Sequence, residues 1–319
     1  MDDRPSWVKG RWKRRLRQFQ VGALMVFCAA AGLAGDIHVV VSGNAPYYLE
    51  TVEYLREHLE EQRPGLVVRA HRANDDFQAS LKTTDLLITI GAAAFLAQRA
   101  REPQRVALHL FITRDFWVQQ QAIYPGLARH AGIVLDQPPG RQVALARALL
   151  PDARTLAVVA GPLGLRDLEE VRARAEALDF EPVIGTLAAK DNPLLVLPAL
   201  VEAADAVVVL PDSADFNGAV ARWLLQLSFR TRVPVIGFSR AYAQSGALAS
   251  VHTAPENVGR EGAARVLTWL DSGILQGGMQ YPEQYSLTTN PDVARTFGVR
   301  LPDETTGWQR LEAMLGGQE

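Results

Sequence analysis

The polar residues best placed to hold a ligand fall at the ends of apolar runs. Asp205-Ala-Val-Val-Val-Leu210 is a short β-branched run, suited to a strand buried on both faces of a parallel sheet, and it stops at Pro211-Asp212-Ser213-Ala214-Asp215. A second run, Val233 to Phe238, stops at Ser239-Arg240, and between the two Phe216 to Phe229 has helical spacing. Strand, polar loop, helix and strand make a right-handed crossover unit. Ligands of such sheets sit outside the carboxyl ends of the strands, which puts Asp212, Ser213 and Ser239 in a candidate crevice. Ser42, Gly91 and Gly161 end other apolar runs in the same way, and N–H groups at the helix starts that follow could hold a carboxylate. Tyr47 and Tyr48, with Phe116 and Trp117, could stack on a flat ligand. Asp115 or Asp212 could pair with a ligand ammonium.

Catalytic patterns are scarce. Gly161-Pro-Leu-Gly164 has the wrong spacing for a phosphate loop, and no Gly-x-Ser-x-Gly elbow occurs. Asp212 and Asp215, three residues apart after a strand, read as helix caps rather than an acid–base pair. His38 and His109 lie inside strand-like runs and read as core or interface residues. His58, His71, His130 and His252 show no metal spacing among themselves or with acidic residues. The expectation is a binding protein, not an enzyme, with no cofactor and no metal.

The elements that must position these residues alternate regularly. Asp36 to Ser42, Leu66 to Ala70, Asp85 to Ile90, Val106 to Ile112 and Ala131 to Leu135 read as strands. Tyr47 to Gln62, a short stretch near Phe77 to Lys82, and Gly91 to Arg99 read as helices, whereas Thr113 to Arg129 reads as irregular. Asp136-Gln-Pro-Pro-Gly140 reads as a linker, after which the alternation restarts. Helices at Arg141 to Leu150, Asp167 to Leu178 and Pro193 to Glu202 flank strands at Thr155 to Ala160, Pro182 to Leu187 and the opening run. Gly246 to Val251 follows Ser239. A helix from Pro255 to Asp271 then has Pro at its first turn and Gly273 past its end. The tail holds Gln284 to Thr288 and a short helix at Pro291 to Phe297. The fold class expected is α/β: two Rossmann-like lobes, each a parallel sheet flanked by helices, joined by a multi-strand hinge.

Length and composition agree with one or two α/β domains: 319 residues, 48% hydrophobic, formal net charge −2. The charge is uneven. Arg4, Lys9, Arg11, Lys13, Arg14, Arg15 and Arg17 precede an apolar run from Val21 to Leu33. Without residues 1–35 the basic count falls from 33 to 26 and the acidic count from 35 to 33, leaving −7. That balance argues against a nucleic-acid partner. Residues 1–35 read as a secretory signal or an N-terminal membrane anchor, the apolar run being shorter than the ~20 residues a spanning helix needs. Cys28, the single cysteine, lies in that run, so no disulfide is expected in the mature chain. A periplasmic location follows as an expectation.

From Asp36 to about Pro302 the chain resembles periplasmic ABC-transporter substrate-binding proteins of the type I fold, in the subgroup with tryptophan- and tyrosine-binding members. The resemblance rests on Asp205-Ala-Val-Val-Val-Leu-Pro-Asp212, Val233-Pro-Val-Ile-Gly-Phe-Ser239, Gly246-Ala-Leu-Ala-Ser250 and Gly259-Arg-Glu-Gly-Ala-Ala264. Ala131-Gly-Ile-Val134 and Leu149-Leu-Pro-Asp-Ala-Arg-Thr-Leu-Ala-Val158 fit as well. It implies three hinge strands, a small organic solute closed between lobes, docking to a membrane permease, and a monomer. The lobes would be residues 36–136 with 252–282, and 137–251 with 283–302, followed by a tail at 303–319. Hinge bending is expected near Asp136, Val251 and Tyr281, and Asp136 joins the ligand-binding candidates. The chain departs from the pattern where ligand contacts are expected. Ala92-Ala93-Ala94 stands where members usually have Thr or Ser, and Thr113-Arg-Asp-Phe-Trp117 replaces an Asp-Pro element. Leu127-Ala-Arg-His130 replaces a Pro-Gly-Gly-Asn loop. Ala92, Ala93 and Thr113 are therefore candidates for a different, more apolar ligand. The alternative reading is a ligand-sensing or partner-binding periplasmic domain of the same fold without a transport role.

Overall fold

Buried apolar runs of three to six residues alternate with helices, and these runs become the inner strands of two sheets. The computed structural model describes residues 35–75, 81–187, 191–211, 218–302, 309 and 312–314. The first half contains β1 (Ile37–Val41), α1 (Pro46–Gln62), β2 (Val68–Arg72), β3 (Leu86–Ile90) and α2 (Ala92–Arg101). It continues through β4 (Ala107–Ile112), α3 (Arg114–Ile123) and β5 (Ala131–Val134). The second half contains α4 (Pro139–Leu149), β6 (Thr155–Ala160), α5 (Leu168–Ala177), β7 (Glu181–Thr186) and α6 (Pro193–Glu202). β8 (Ala206–Val209), α7 (Gly218–Thr231), β9 (Val235–Gly237), α8 (Arg240–Gln244) and β10 (Ala249–His252) follow. The chain then adds α9 (Pro255–Ser272), β11 (Gly278–Gln280), β12 (Ser286–Thr289) and α10 (Pro291–Phe297).

These strands form two six-stranded sheets with the same order, β2-β1-β3-β4-β5-β11 and β7-β6-β8-β9-β10-β12. Every pairing is parallel except β10 with β12, which is antiparallel. The strand order reverses direction between β1 and β3 in one sheet and between β6 and β8 in the other, the positions where open α/β sheets hold ligands. The sheet of β1 packs Ile37, Val39, Ile88 and Leu108 against α1 and α9, and Val40 and Leu87 against α2. The sheet of β6 buries Leu156 and Val158 against α4 and Ala157 and Val159 toward α6 and α7. Two sheets with separate cores make two lobes. The chain passes between them three times: from β5 to α4, from β10 to α9, and from β11 to β12.

The crossings are bonded to one another. Gln137 Nε2 donates to Thr253 Oγ1 at 2.7 Å and to Gln284 O at 3.3 Å, and Thr253 Oγ1 donates to Leu135 O at 2.7 Å. The Arg141 guanidinium donates to Pro282 O at 2.9 Å and Glu283 O at 3.1 Å. Glu261 accepts from the Gln284 and Glu283 N–H groups at 2.6 and 3.1 Å.

Several elements differ from expectation. Thr113 to Arg129 is not irregular: it holds α3 and a 3₁₀ turn, Pro125–Arg129. Thr113 Oγ1 accepts from Phe116 N at 3.2 Å as the cap of α3, a signal outweighed in the sequence by weak apolar spacing. Asp136–Gly140 is a linker only as far as Pro138, because Pro139 and Gly140 open α4, where a first-turn proline gives up no hydrogen bond. The helical start read at Asp167 is a 3₁₀ turn, Gly164–Asp167, before α5. The helix read near Phe77 and the loop at Asp212 to Phe216 lie largely outside the described residues.

Candidate functional site

A cavity of about 770 Å³ lies between the lobes, and both contribute to its walls. Pro46, Tyr47 and Glu50 come from the start of α1, and Phe111, Thr113 and Asp115 from the end of β4 and the start of α3. Leu135 to Gln137 and Val251 to Pro255 line it from two of the crossings. Gln142, Pro211, Phe238, Ser239, Arg240 and Ala241 face it from the second lobe. The wall is mostly apolar, with a few polar groups, as ligand pockets are.

Of the residues singled out in the sequence, Tyr47, Thr113, Asp115, Asp136 and Ser239 line this cavity. Ser42, Tyr48, Gly91, Ala92, Ala93 and Gly161 do not. Ser42 Oγ accepts from Ala94 N at 2.9 Å, which ties the end of β1 to the start of α2. Gly91 has φ +88°, and a Cβ there would stand 2.6 Å from Ser42 Oγ and 2.8 Å from the Tyr48 ring. These contacts tie the end of β1 to α1 and α2. Gly161 accepts from Gly164 N at 3.0 Å within its own turn. Asp212 and Ser213 fall outside the described residues. Phe116 and Trp117 are packing residues rather than stacking platforms. Trp117 is 2% exposed, close to Gly132, and groups with Phe95, Leu127 and Phe116 in an inner cluster.

The polar groups of the wall are largely occupied by the protein itself. Thr113 Oγ1 caps α3, and Ser239 Oγ accepts from Tyr242 N at 3.2 Å to cap α8. Gln142 Nε2 donates to Val209 O at 2.8 Å. Asp115 is ion-paired with Arg166, so it is not free for a ligand ammonium. Burial pushes the Asp136 carboxyl above the usual carboxylate range, against the Arg114 N–H that it accepts at 2.6 Å. His252 meets Thr288 Oγ1 at 2.9 Å, and burial lowers its pKa to about 4, so it is neutral at pH 7. Glu50 and Arg240 remain the exposed charges at the rim.

Sequence reasoning did not pick out Phe111. It sits near the end of β4 at φ +57°, where the pairing with β5 shifts register between Leu110 and Ile112. A bulky side chain in the left-handed region costs on the order of 1–2 kcal/mol. That conformation goes with a place on the cavity wall. The Phe111 ring stacks on Tyr47 with centroids 5.2 Å apart and planes 10° apart. At this position glycine should be more stable than alanine, by about 1 kcal/mol, the reverse of the usual order in a strand. Denaturant titration of Phe111→Gly beside Phe111→Ala measures it; an equal or more stable alanine variant would show that the backbone carries no strain. Glu50, Gln137, Gln142, Phe238, Arg240, His252 and Thr253 were also missed. Phe238 and Arg240 flank the singled-out Ser239 and His252 closes a strand, so strand-end reasoning could have reached them. Glu50 and Gln142 carry no local signal.

Four of the six histidines form two imidazole pairs in the first lobe. His109 Nε2 lies 2.9 Å from His130 Nδ1, with rings stacked at 5.1 Å and 9°. Thr89 Oγ1 is 2.7 Å from His109 Nδ1, and Tyr124 Oη is 3.3 Å from His130 Nε2. Tyr124 donates to Pro103 O. Neutral rings satisfy this chain in one direction: Thr89 donates to His109, His109 to His130, and His130 to Tyr124. His38 Nδ1 and His71 Nε2 are 2.9 Å apart in the same stacked manner, and His38 Nε2 is 3.4 Å from Asp85. Among the described residues no group of three or more His, Cys, Asp or Glu is arranged to hold a metal ion.

No family model matches the sequence. No curated protein matches it either. Solved structures do resemble the fold. A substrate-binding protein with adhesive properties from Clostridium difficile, in its ligand-free open form, is similar at TM-score 0.67 and 15% identity, covering 85% of this chain and 97% of that one. An ABC domain from Streptococcus pneumoniae in complex with L-Trp is similar at TM-score 0.54 and 16% identity, over 84% and 96% of the two chains. A conserved domain protein from Vibrio cholerae gives TM-score 0.54 and 17% identity, over 85% and 96%. At these identities the likeness is one of fold: the chain has the two-lobed type I periplasmic-binding fold.

Proposed function

We propose that the protein is a non-enzymatic solute-binding component of an ABC-type importer, exported by its N-terminal segment and closing two lobes over a small organic ligand. The reading is carried by the cavity of about 770 Å³, walled by both lobes and by two of the three crossings. Tyr47, Phe111 and Phe238 supply flat apolar surface, and most wall polar groups already have protein partners. That balance favours a compact, largely apolar or aromatic ligand over a sugar, which would need many free donors and acceptors. The likeness in fold to a domain that holds L-Trp supports the same ligand class. The bonded crossings act as the hinge, and the ligand favours the closed state by touching both lobes.

A thermal-shift screen against amino acids, aromatic acids, purines and sugars tests this. A ligand at a hundredfold excess over its dissociation constant is expected to stabilise the protein by ~2.7 kcal/mol. The shift should appear with an aromatic compound and vanish in Phe238→Ala. A response to sugars alone would overturn the ligand class, and silence across the panel would overturn the solute-binding reading.

A further inference from the structure

Two consecutive residues at the start of α3, Arg114 and Asp115, face two consecutive residues of the second lobe, Arg166 and Asp167. They pair crosswise: Arg114 with Asp167, and Arg166 with Asp115. The side chains are 21% and 13% exposed in the first pair and 32% and 12% in the second, so the pairs are only partly screened by solvent. Four alternating charges cancel, and each arginine meets the carboxylate of the opposite lobe. The arrangement is also tied to the crossings. Arg114 N donates to Asp136 at 2.6 Å, and its guanidinium lies 5.5 Å from the centre of the Tyr281 ring.

We propose that this crossed Arg–Asp clasp is a positioning device that fixes the angle between the lobes before any ligand arrives. Each pair has one member on either lobe, so a rotation that parts the lobes on this side separates both ion pairs at once. Asp115 also lines the cavity, so the clasp shapes the cavity wall as well as its width. Clasp geometry and ligand occupancy are thereby linked, whatever the ligand is. The binding residues Phe111 and Phe238 take no part in the clasp.

Distance measurement between the lobes tests the proposal on the full chain without a ligand. Cysteines at the exposed Glu57 of α1 and Glu176 of α5, with Cys28→Ser, carry spin labels for electron–electron resonance. The unaltered clasp should give one narrow distance distribution. Arg166→Asp, which sets like charges against each other, should shift or broaden it, and adding Asp115→Arg should restore it. Arg166→Gln should give a smaller change in the same direction and serves as the test if Arg166→Asp fails to fold. An unchanged distribution in a folded Arg166→Asp or Arg166→Gln protein would overturn the clasp. So would a shift that Asp115→Arg does not reverse.

Discussion

As pH falls from 6.5 toward 4, the protein is expected to lose several kcal/mol of stability through its buried histidines. Burial lowers the His130 and His252 pKa values to about 4, and that of His109 well below its usual 6.5. The folded state holds these rings neutral, whereas the unfolded chain protonates them near 6.5. The unfolded state therefore binds more protons throughout that window, and stability drops with falling pH until the folded rings titrate as well. A histidine held at about 4 is worth about 3 kcal/mol at pH 4, and two such residues approach the ~5–15 kcal/mol that stabilises a typical domain. The hydrogen-bond chain gives the local reason. An extra proton on His130 Nδ1 faces the His109 Nε2–H donor at 2.9 Å, and one on His109 Nδ1 faces the Thr89 hydroxyl at 2.7 Å in place of the bond it accepts there. Asp136 and Glu261 act in the opposite sense, because burial raises their pKa values and protonation favours the folded state. Asp205, lowered by N–H groups of Thr155 and Arg154, adds to the loss as pH falls through the carboxylate range. Urea titrations at pH 7.5, 6.0 and 4.5 should show the midpoint falling steadily, and a midpoint independent of pH would contradict the neutral histidine chain.

Replacing Gly259 should destabilise the first lobe, because a methyl added there meets the backbone of a neighbouring helix. Its ideal Cβ would lie 2.6 Å from Tyr54 Cβ, 2.8 Å from Thr51 O and 2.9 Å from Leu55 N, so α9 and α1 would have to separate. Helix propensity favours alanine over glycine by ~1 kcal/mol, but backbone atoms cannot turn aside as a flexible side chain can. Gly259→Ala is expected to cost about 2 kcal/mol, and Gly259→Val roughly 4 kcal/mol. Gly262, one turn further along α9, provides the comparison. Its Cβ would meet the Leu110 Cδ1 atom at 2.6 Å, the far end of a side chain that can rotate. Gly262→Ala should therefore be the milder change. Thermal melting of the two alanine variants decides the matter: a Gly259→Ala protein as stable as Gly262→Ala would mean that α1 and α9 are not held at this distance.

Much of the fold was legible because its signals are local. Runs such as Asp205 to Leu210 are too short and too β-branched for helices, and Pro255 with Gly273 brackets α9. The restart of the pattern after Asp136 identified two lobes for the same reason. The site was legible only in part. Ser239 was reached through a strand end and Thr113 through the departure from the family pattern; both line the cavity, yet each is also a helix cap. Ser42, Gly91 and Gly161 carry the same strand-end signal and do not line the cavity. A strand end shows where a crevice opens, and not which of its side chains faces it.

The sequence by itself determined the alternation of strands and helices, the two-lobed α/β class and the carboxyl ends near which a ligand would sit. These follow from hydrophobic period, turn residues and caps, all properties of neighbouring positions. Tertiary structure decided that Trp117 is core, that Phe111 faces the cavity at φ +57°, that Asp115 is engaged by Arg166, and that His109 meets His130. Arg114 and Asp167 are 53 positions apart, and Gly259 meets residues 204 to 208 positions before it. No local pattern encodes such meetings. They arise when packed sheets and helices bring distant segments within contact, and charge, strain and proton affinity are then set by what each side chain finds there.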